Sequence, residues 1–403
     1  MDKCTIKPIA FYLPQYHPIP ENDRWWGDGF TEWVNVKKAK PLFNGHYQPH
    51  VPSDTIGYYD LRDDRVRERQ AEIAKHYGIY GFCYYYYWFN GKKLLDYPLS
   101  EVLRLKRPDF PFCVCWANEN WTRRWDGTTG VVLMKQSEQS NDAIKIIYDL
   151  LPIFNDNRYI RIGGKPLFIV YRADLLQDPL RVTQAWRRIC AENGMGGIYL
   201  CCVRSFDVID PKIFGFDSAI EMPPHQYMRS LEIRNFHAYH ANEFKGKAYD
   251  YGKILNTART RAEHEYTLFR GIMPSWDNTA RLGKNALVYI NVDSEEYRSW
   301  LQYICAYTTI MNEPDKQYIF INAWNEWGEG CHLEPDKKNE YRYLEITKDV
   351  VGDNERSLQA IIFNLQSATE KLLISADDLC AIKKTIFRKI SKKIYAFYDK
   401  VFK

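Results

Sequence analysis

The chain has 403 residues, 45% of them hydrophobic and 26% charged, enough for one large α/β domain or two smaller ones with a sizeable core. Its formal charge is +4, but residues 381–403 hold eight Lys/Arg and one Asp, so residues 1–380 carry −3 and offer no general basic field for nucleic acid. No run approaches the ~18 apolar residues of a membrane span, and MDKCTIKPIAFYLPQYHP reads as a first strand rather than a secretory leader.

Short apolar runs alternate with amphipathic segments. A strand over 6–12 leads into Leu13-Pro14-Gln15-Tyr16-His17 and a long loop, DRWWGDGFTEW, that carries Asp28, Glu32 and Trp33. After a helix over 66–77, a strand over 79–86 runs on into Tyr87 and Trp88. A helix over 98–105 precedes a strand over 112–116, then Asn118, Glu119, Trp121 and the pair Arg123-Arg124. A helix over 142–154 precedes a strand over 166–171 that ends at Tyr171-Arg172, and a helix over 179–193 follows. Strands over 198–203 and 218–221 end at Arg204 and Glu221, with His225 just beyond. The strand over 271–273 leads to Trp276-Asp277, and after a helix over 294–312 the last strand, 318–323, opens into NAWNEWGEGCHLEP.

Eight strands with intervening helices predict the α/β class, as a (β/α)₈ TIM barrel with long loops at its C-terminal face. A doubly wound sheet is the alternative, but no GxGxxG or GxxxxGK[ST] follows any strand. The barrel is expected over 1–350, a closing helix over 351–380 and a basic amphipathic tail over 381–403. The ten Cys fall largely in predicted strands without CxxC spacing, which reads as reduced thiols of a cytoplasmic protein. The sequence suggests no zinc site, other metal ligand set or cofactor.

Thirty Tyr and twelve Trp, many beside Asn, Glu and Arg, supply flat apolar faces with polar handles suited to sugar rings. A barrel gathers its strand ends on one face. The expected substrate contacts are therefore Tyr12, Gln15, His17 and Trp33 from the first segment, and Tyr86 and Trp88 from the second. Trp116, Asn118, Glu119 and Trp121 come from the third, Tyr171 from the fourth and Arg204 from the fifth. Glu221 and His225 follow the sixth, Trp276 the seventh, and Asn322 and Trp324 the eighth. Side chains alternate along a strand, so at most half of the rings of Tyr84–Tyr87 can face the cavity. Glycosidic cleavage takes two carboxyl groups. Glu326 and Glu329, separated by one short Gly-containing turn, are the expected catalytic pair. Glu119 is the rival proton-transfer residue, with ion pairing to Arg123 or Arg124 as its other role.

AFYLPQYHPIPENDRWWGDGFTEWVNV, GFCYYYYWFNGKKLLDYPL, CWANENWTRRWDG and FINAWNEWGEGCHLEPD together resemble the WbsX-like family of bacterial O-antigen and capsule gene clusters. That family, usually labelled a glycosyltransferase, is similar to glycoside hydrolase family 99, the endo-α-mannosidases and endo-mannanases, which are (β/α)₈ barrels. The resemblance implies that Glu326 acts as a base on a sugar 2-hydroxyl, giving a 1,2-anhydro intermediate, and that Glu329 protonates the leaving oxygen. Gly328 stands where those hydrolases usually carry His.

The reading is a glycoside hydrolase or transglycosylase acting on α-linked glycans of a bacterial surface polysaccharide or its lipid-linked precursor. A glycosyltransferase using an activated sugar donor and a non-catalytic glycan-binding barrel are the alternatives. In the tail, Ile382, Ile386, Phe387, Ile390 and Ile394 share one helical face opposite Lys and Arg. This predicts peripheral contact with the inner face of the cytoplasmic membrane, with packing on the barrel as the alternative.

Overall fold

Runs such as FCVCW and YIFI are apolar throughout and wholly buried, as parallel strands covered on both faces must be. The structure, a computed structural model, describes residues 6–122, 132–136, 139–204, 210–233, 236, 244–259 and 264–352. Its central strands are β1 (Lys7–Tyr12), β2 (Gly81–Phe89), β3 (Phe112–Trp116), β4 (Lys165–Val170), β5 (Tyr199–Arg204), β6 (Ser218–Glu221), β7 (Thr267–Phe269 and Gly271–Ile272) and β8 (Tyr318–Ile321). Each pairs in parallel with the next, and Lys7 of β1 registers with Tyr318 of β8, which closes the barrel. The (β/α)₈ expectation is met.

The seventh strand shows why its first half was missed. Arg270 interrupts the apolar run between the two pieces of β7, and the sequence reading begins only after it. The chain is continuous there, since Phe320 N donates to Arg270 O at 2.9 Å. The Arg270 side chain is buried, pairs with Glu221 at 2.9 Å and lies over the Tyr307 ring at 4.6 Å. Gly271 follows because β6 approaches closely: a Cβ there would fall on the Glu221 carbonyl.

The helices that matter for the site are α1 (Pro20–Trp26) and α2 (Glu32–Lys38), both within the predicted loop after β1, and α3 (Thr279–Leu282), after β7. A small parallel pair, Lys247–Asp250 with Leu287–Ile290, extends the loops after β6 and β7. It packs Phe43, Phe236, Phe244 and Val288 into a second apolar cluster beside the main core. Among the described residues, no helix is long and apolar enough to cross a membrane. Helix Arg342–Gly352 ends the described chain. The tail over 381–403, and the expected closing helix over 351–380 apart from its first two residues, lie outside the described residues.

Candidate active site

Beyond β8 the chain turns through a cis peptide at Asn322-Ala323. Asn325–Glu326 then pairs antiparallel with Cys331–His332 around a 3₁₀ turn, Trp327–Glu329. Gly330 closes that turn at φ +56°, a conformation that favours glycine. The turn is pinned from below. The Asn325 side chain accepts from Leu13 N at 2.7 Å and donates to Leu13 O at 3.0 Å, and Tyr16 OH accepts from Trp327 N at 3.2 Å. Trp327 Nε1 donates to the buried Glu334 at 2.7 Å, and Glu334 also accepts from Gln70 and Tyr59. Glu326 and Glu329 therefore stand on a rigid base.

Both acids bind one guanidinium. Arg281 of α3 donates through Nη2 to Glu326 Oε2 at 2.7 Å and through Nη1 to Glu329 Oε1 at 2.6 Å. Its Nε donates to Glu32 Oε1 at 3.0 Å, and that α2 carboxylate is wholly buried. Gly328 fits this arrangement, because a Cβ there would fall on the Glu32 carboxylate and crowd Arg281. Glu32 and Arg281 thus fill the space beside the position where the hydrolase pattern has His. Sequence reasoning missed Arg281, and it placed Glu32 on a mouth loop rather than under the acids.

One cation among three buried carboxylates sets the protonation. Burial pushes Glu326 upward, Arg281 opposes this, and the Glu32 charge adds to the rise. Burial likewise raises Glu329, with Arg281 opposing and Glu326 and Glu32 adding, to about 8. Arg281 itself resists burial because the three acids hold its proton. The cluster therefore keeps a proton on Glu329 at neutral pH, and Glu329 is also the most open of the three acids, its side chain 21% exposed against 7% for Glu326. Among the described residues no hydrogen bond engages Glu326 Oε1 or Glu329 Oε2.

Above the pair lies a cavity of about 460 Å³. Nine expected site residues line it: Gln15, Glu119, Trp121, Tyr171, His225, Trp276, Asn322, Glu326 and Glu329. Glu119 is half exposed and pairs with Arg172 at 2.7 Å, outside the Arg281 cluster. Arg123 and Arg124, its expected partners, lie outside the described residues. Burial lowers His225 to about 4, so it faces the cavity as a neutral imidazole. Buried polar atoms without a hydrogen-bond partner among the described residues gather here too: Gln15 Nε2, both side-chain polar atoms of Asn22, and Trp276 Nε1.

The remaining expected contacts lie off the cavity wall. Tyr12 donates to Gln70 at 2.6 Å under the floor, and Trp33 donates to Tyr59 O at 2.7 Å and packs on Trp327. His17 is buried near Tyr97, and burial lowers it to about 4. On β2 the phase is reversed. Tyr85 and Tyr87 line the cavity, whereas Tyr86 lines a separate groove with Lys93 and Asp96, and Trp88 donates to Asp149 at 2.7 Å. Trp116 donates to Trp88 O at 3.2 Å, and Asn118 brackets the Arg172 backbone at 2.7 and 2.8 Å. Arg204 pairs with His264, Glu221 with Arg270, and the Trp324 ring packs on Phe82 in the core. Asn22, which the sequence reading passed over, and Trp26, which it placed in the DRWWGDGFTEW loop, are further wall residues from α1.

The family model described as Glycosyltransferase WbsX matches residues 8–347. Two relatives in Xanthomonas campestris pv. campestris, each described as "Uncharacterized protein WxcX", are 40% identical over 343 residues. The match covers 85% of this chain and 49% of each relative, so the chain spans about half the length of the curated relatives it matches. An endo-alpha-mannosidase of glycoside hydrolase family 99 from Bacteroides thetaiotaomicron is similar in structure, with a TM-score of 0.51 at 15% identity over 88% of this chain and 98% of that one. A glycoside hydrolase-like protein gives a TM-score of 0.52 at 15% identity, over 86% and 94% of the two chains. At such identities the likeness is one of fold.

Proposed function

The chain belongs to the WbsX glycosyltransferase family, a family of carbohydrate-active enzymes with the barrel of the family 99 hydrolases, and from this we propose that it cleaves or transfers an α-linked glycosyl unit through Glu326 and Glu329. The observation that carries the reading is the shared guanidinium. Arg281 holds the two acids side by side, and burial, with the Glu326 and Glu32 charges adding to it, favours a proton on Glu329.

In this scheme Glu329 donates its proton to the glycosidic oxygen as that bond breaks. Glu326 takes the proton of the sugar 2-hydroxyl, whose oxygen closes on the anomeric carbon to form the 1,2-anhydro sugar. Glu329, now a carboxylate, then removes a proton from the acceptor hydroxyl as it opens that ring, and Glu326 returns its proton to the sugar 2-oxygen, so both acids regain their starting states. The oxygens left unbonded by Arg281 suit these tasks. Tyr85, Tyr87, Trp121 and Trp276 supply apolar walls, and the unpartnered atoms of Gln15, Asn22 and Trp276 suit a ligand dense in hydroxyls.

Water and a sugar hydroxyl are both competent acceptors in this chemistry. The substrate we propose is a surface-polysaccharide repeat or its lipid-linked precursor, met at the inner face of the cytoplasmic membrane through residues 381–403. Incubation with a panel of α-linked lipid oligosaccharides, with and without an acceptor sugar, tests the reading. Released glycan or chain-extended product is expected without added nucleotide sugar, and turnover that requires a nucleotide sugar would favour direct transfer from an activated donor. Removing residues 381–403 is expected to reduce recovery with membranes, and unchanged recovery would argue against the membrane assignment. In the same glycan assay Asn22→Ala is expected to raise KM about tenfold, one lost hydroxyl hydrogen bond being worth about 1 kcal/mol or slightly more. Its melting temperature should stay near that of the unaltered protein, because no protein partner is lost.

A further inference from the structure

Beside the Glu326–Glu329 turn, at residues that are not among those lining the cavity, two loops bring together three ligand-type side chains. His50 and His332 are 7% and 5% exposed, and Asp336 is 3% exposed. His50 Nδ1 lies 2.9 Å from His332 Nε2, and Asp336 Oδ2 lies 3.9 Å from that same Nε2. One ligand atom from each falls within 4.8 Å of the other two.

We propose that His50, His332 and Asp336 bind a divalent first-row transition metal, of which zinc is the simplest case, as a structural clip beneath the active-site turn. Two imidazoles and a carboxylate are a donor set that such ions favour. With ligand bonds of roughly 2.0–2.1 Å, a tetrahedral ion places its donors roughly 3.3–3.4 Å apart. The spacings of 2.9 and 3.9 Å lie on either side of that value and the third pair falls within 4.8 Å, so the side chains rotate to take up the ion.

The outer contacts agree. His332 Nδ1 donates to Glu334 O at 3.0 Å, which leaves Nε2 with its lone pair toward His50 and Asp336. A backbone carbonyl on the far ring nitrogen is the usual orienting contact of a metal-bound histidine. Asp336 is fixed by its own loop, where Oδ1 accepts from Lys338 N at 2.8 Å and Oδ2 from Asn339 Nδ2 at 3.0 Å.

The backbone supplies the frame. Ser53 N donates to Pro335 O and Lys337 N to Val51 O, each at 2.9 Å, so the two loops already run alongside each other. The His332 ring stacks on Trp327 at 3.6 Å and 13°, which joins the clip to the turn that carries the two acids. The ion would stiffen that turn without meeting substrate. Cysteine spacing and motif reading pass over such a site because His50 and His332 are 282 positions apart.

The test uses the full chain without a histidine tag, stripped with a chelator and dialysed. Added Zn²⁺ is expected to bind at one equivalent, measured by metal analysis after gel filtration, and to raise the melting temperature by about 3 °C or more. Added Co²⁺ is expected to give the intense visible bands of four- or five-coordinate cobalt. His50→Gln and Asp336→Asn, the second of which keeps a turn-capping oxygen, are expected to lose the equivalent and the bands. Loss of zinc binding in these variants, with their chelated melting temperatures near that of the stripped protein, would support the site. Failure of the unaltered chain to retain stoichiometric zinc, or retention of the zinc shift by Asp336→Asn and His50→Gln alike, would overturn it. If a variant does not fold, the cobalt spectrum of the unaltered chain still decides, because weak octahedral bands alone would refute a buried site.

Discussion

Glu329→Gln is expected to lower turnover by about a thousandfold while raising the melting temperature at neutral pH. The first effect is the loss of a positioned proton donor, which is worth roughly 10²–10⁴ in rate. The second follows from the sign of the shift. Burial, with Glu326 and Glu32 adding, raises Glu329 from an ordinary value of 4.5 to about 8 in the folded chain. Between those values the folded protein holds a proton that the unfolded chain has released, so stability falls as pH rises through the window. Glutamine keeps an oxygen for Arg281 and carries no charge to release. The advantage of the variant should therefore be absent near pH 4, grow across pH 5 to 8 and level off above that. Calorimetric melting at several pH values checks it, and melting curves that stay parallel from pH 4 to 8 would contradict it. The unaltered enzyme should also lose activity on the alkaline side as Glu329 gives up its proton near pH 8.

Arg281→Met is expected to destabilise the fold by about 3–5 kcal/mol at neutral pH, the usual cost of removing one partner of a buried ion pair. Three acidic side chains, of which only Glu329 already holds a proton, would then share a buried space without a cation. They can recover only by taking up protons, so the loss should be smaller at pH 5 than at pH 8. Glu32→Gln added to Arg281→Met should restore part of the stability, because it removes the most deeply buried of the carboxylates. Arg281→Lys should not rescue, since a single ammonium cannot span three carboxyls as a planar fork does. Melting temperatures of the four proteins at the two pH values measure this. A pH-independent loss would show that packing, rather than charge, is what Arg281 supplies.

The barrel was largely legible from sequence because its strands are buried on both faces and read as unbroken apolar runs. Phe112–Trp116 and Ser218–Glu221 fall where the runs begin and end. The same property hid the phase of β2. Both its faces are apolar, one toward the cavity and one toward the helices, so alternation alone does not tell Tyr85 and Tyr87 from Tyr86 and Trp88. Glu326 and Glu329 could be found because they follow directly on a strand end. Arg281 and Glu32 could not be paired, since 249 positions separate them and neither sits in a motif that demands the other. The available hint was composition: Glu32 lies in a Trp-rich segment, and Arg281 follows a strand-end Trp-Asp.

Gly328 has a consequence for how this site can diverge. Any side chain there meets Glu32, and removing Glu32 first takes away a counter-charge of Arg281. A histidine at position 328 is thus reachable only by a path whose first step disturbs either packing or charge balance. The glycine, the glutamate and the arginine are in that sense one unit, and accommodating a side chain at position 328 takes coordinated change at loops after the first, seventh and eighth strands. Transplanting the turn alone into a related barrel, or the reverse graft, should give a folded but poorly active protein until all three positions travel together.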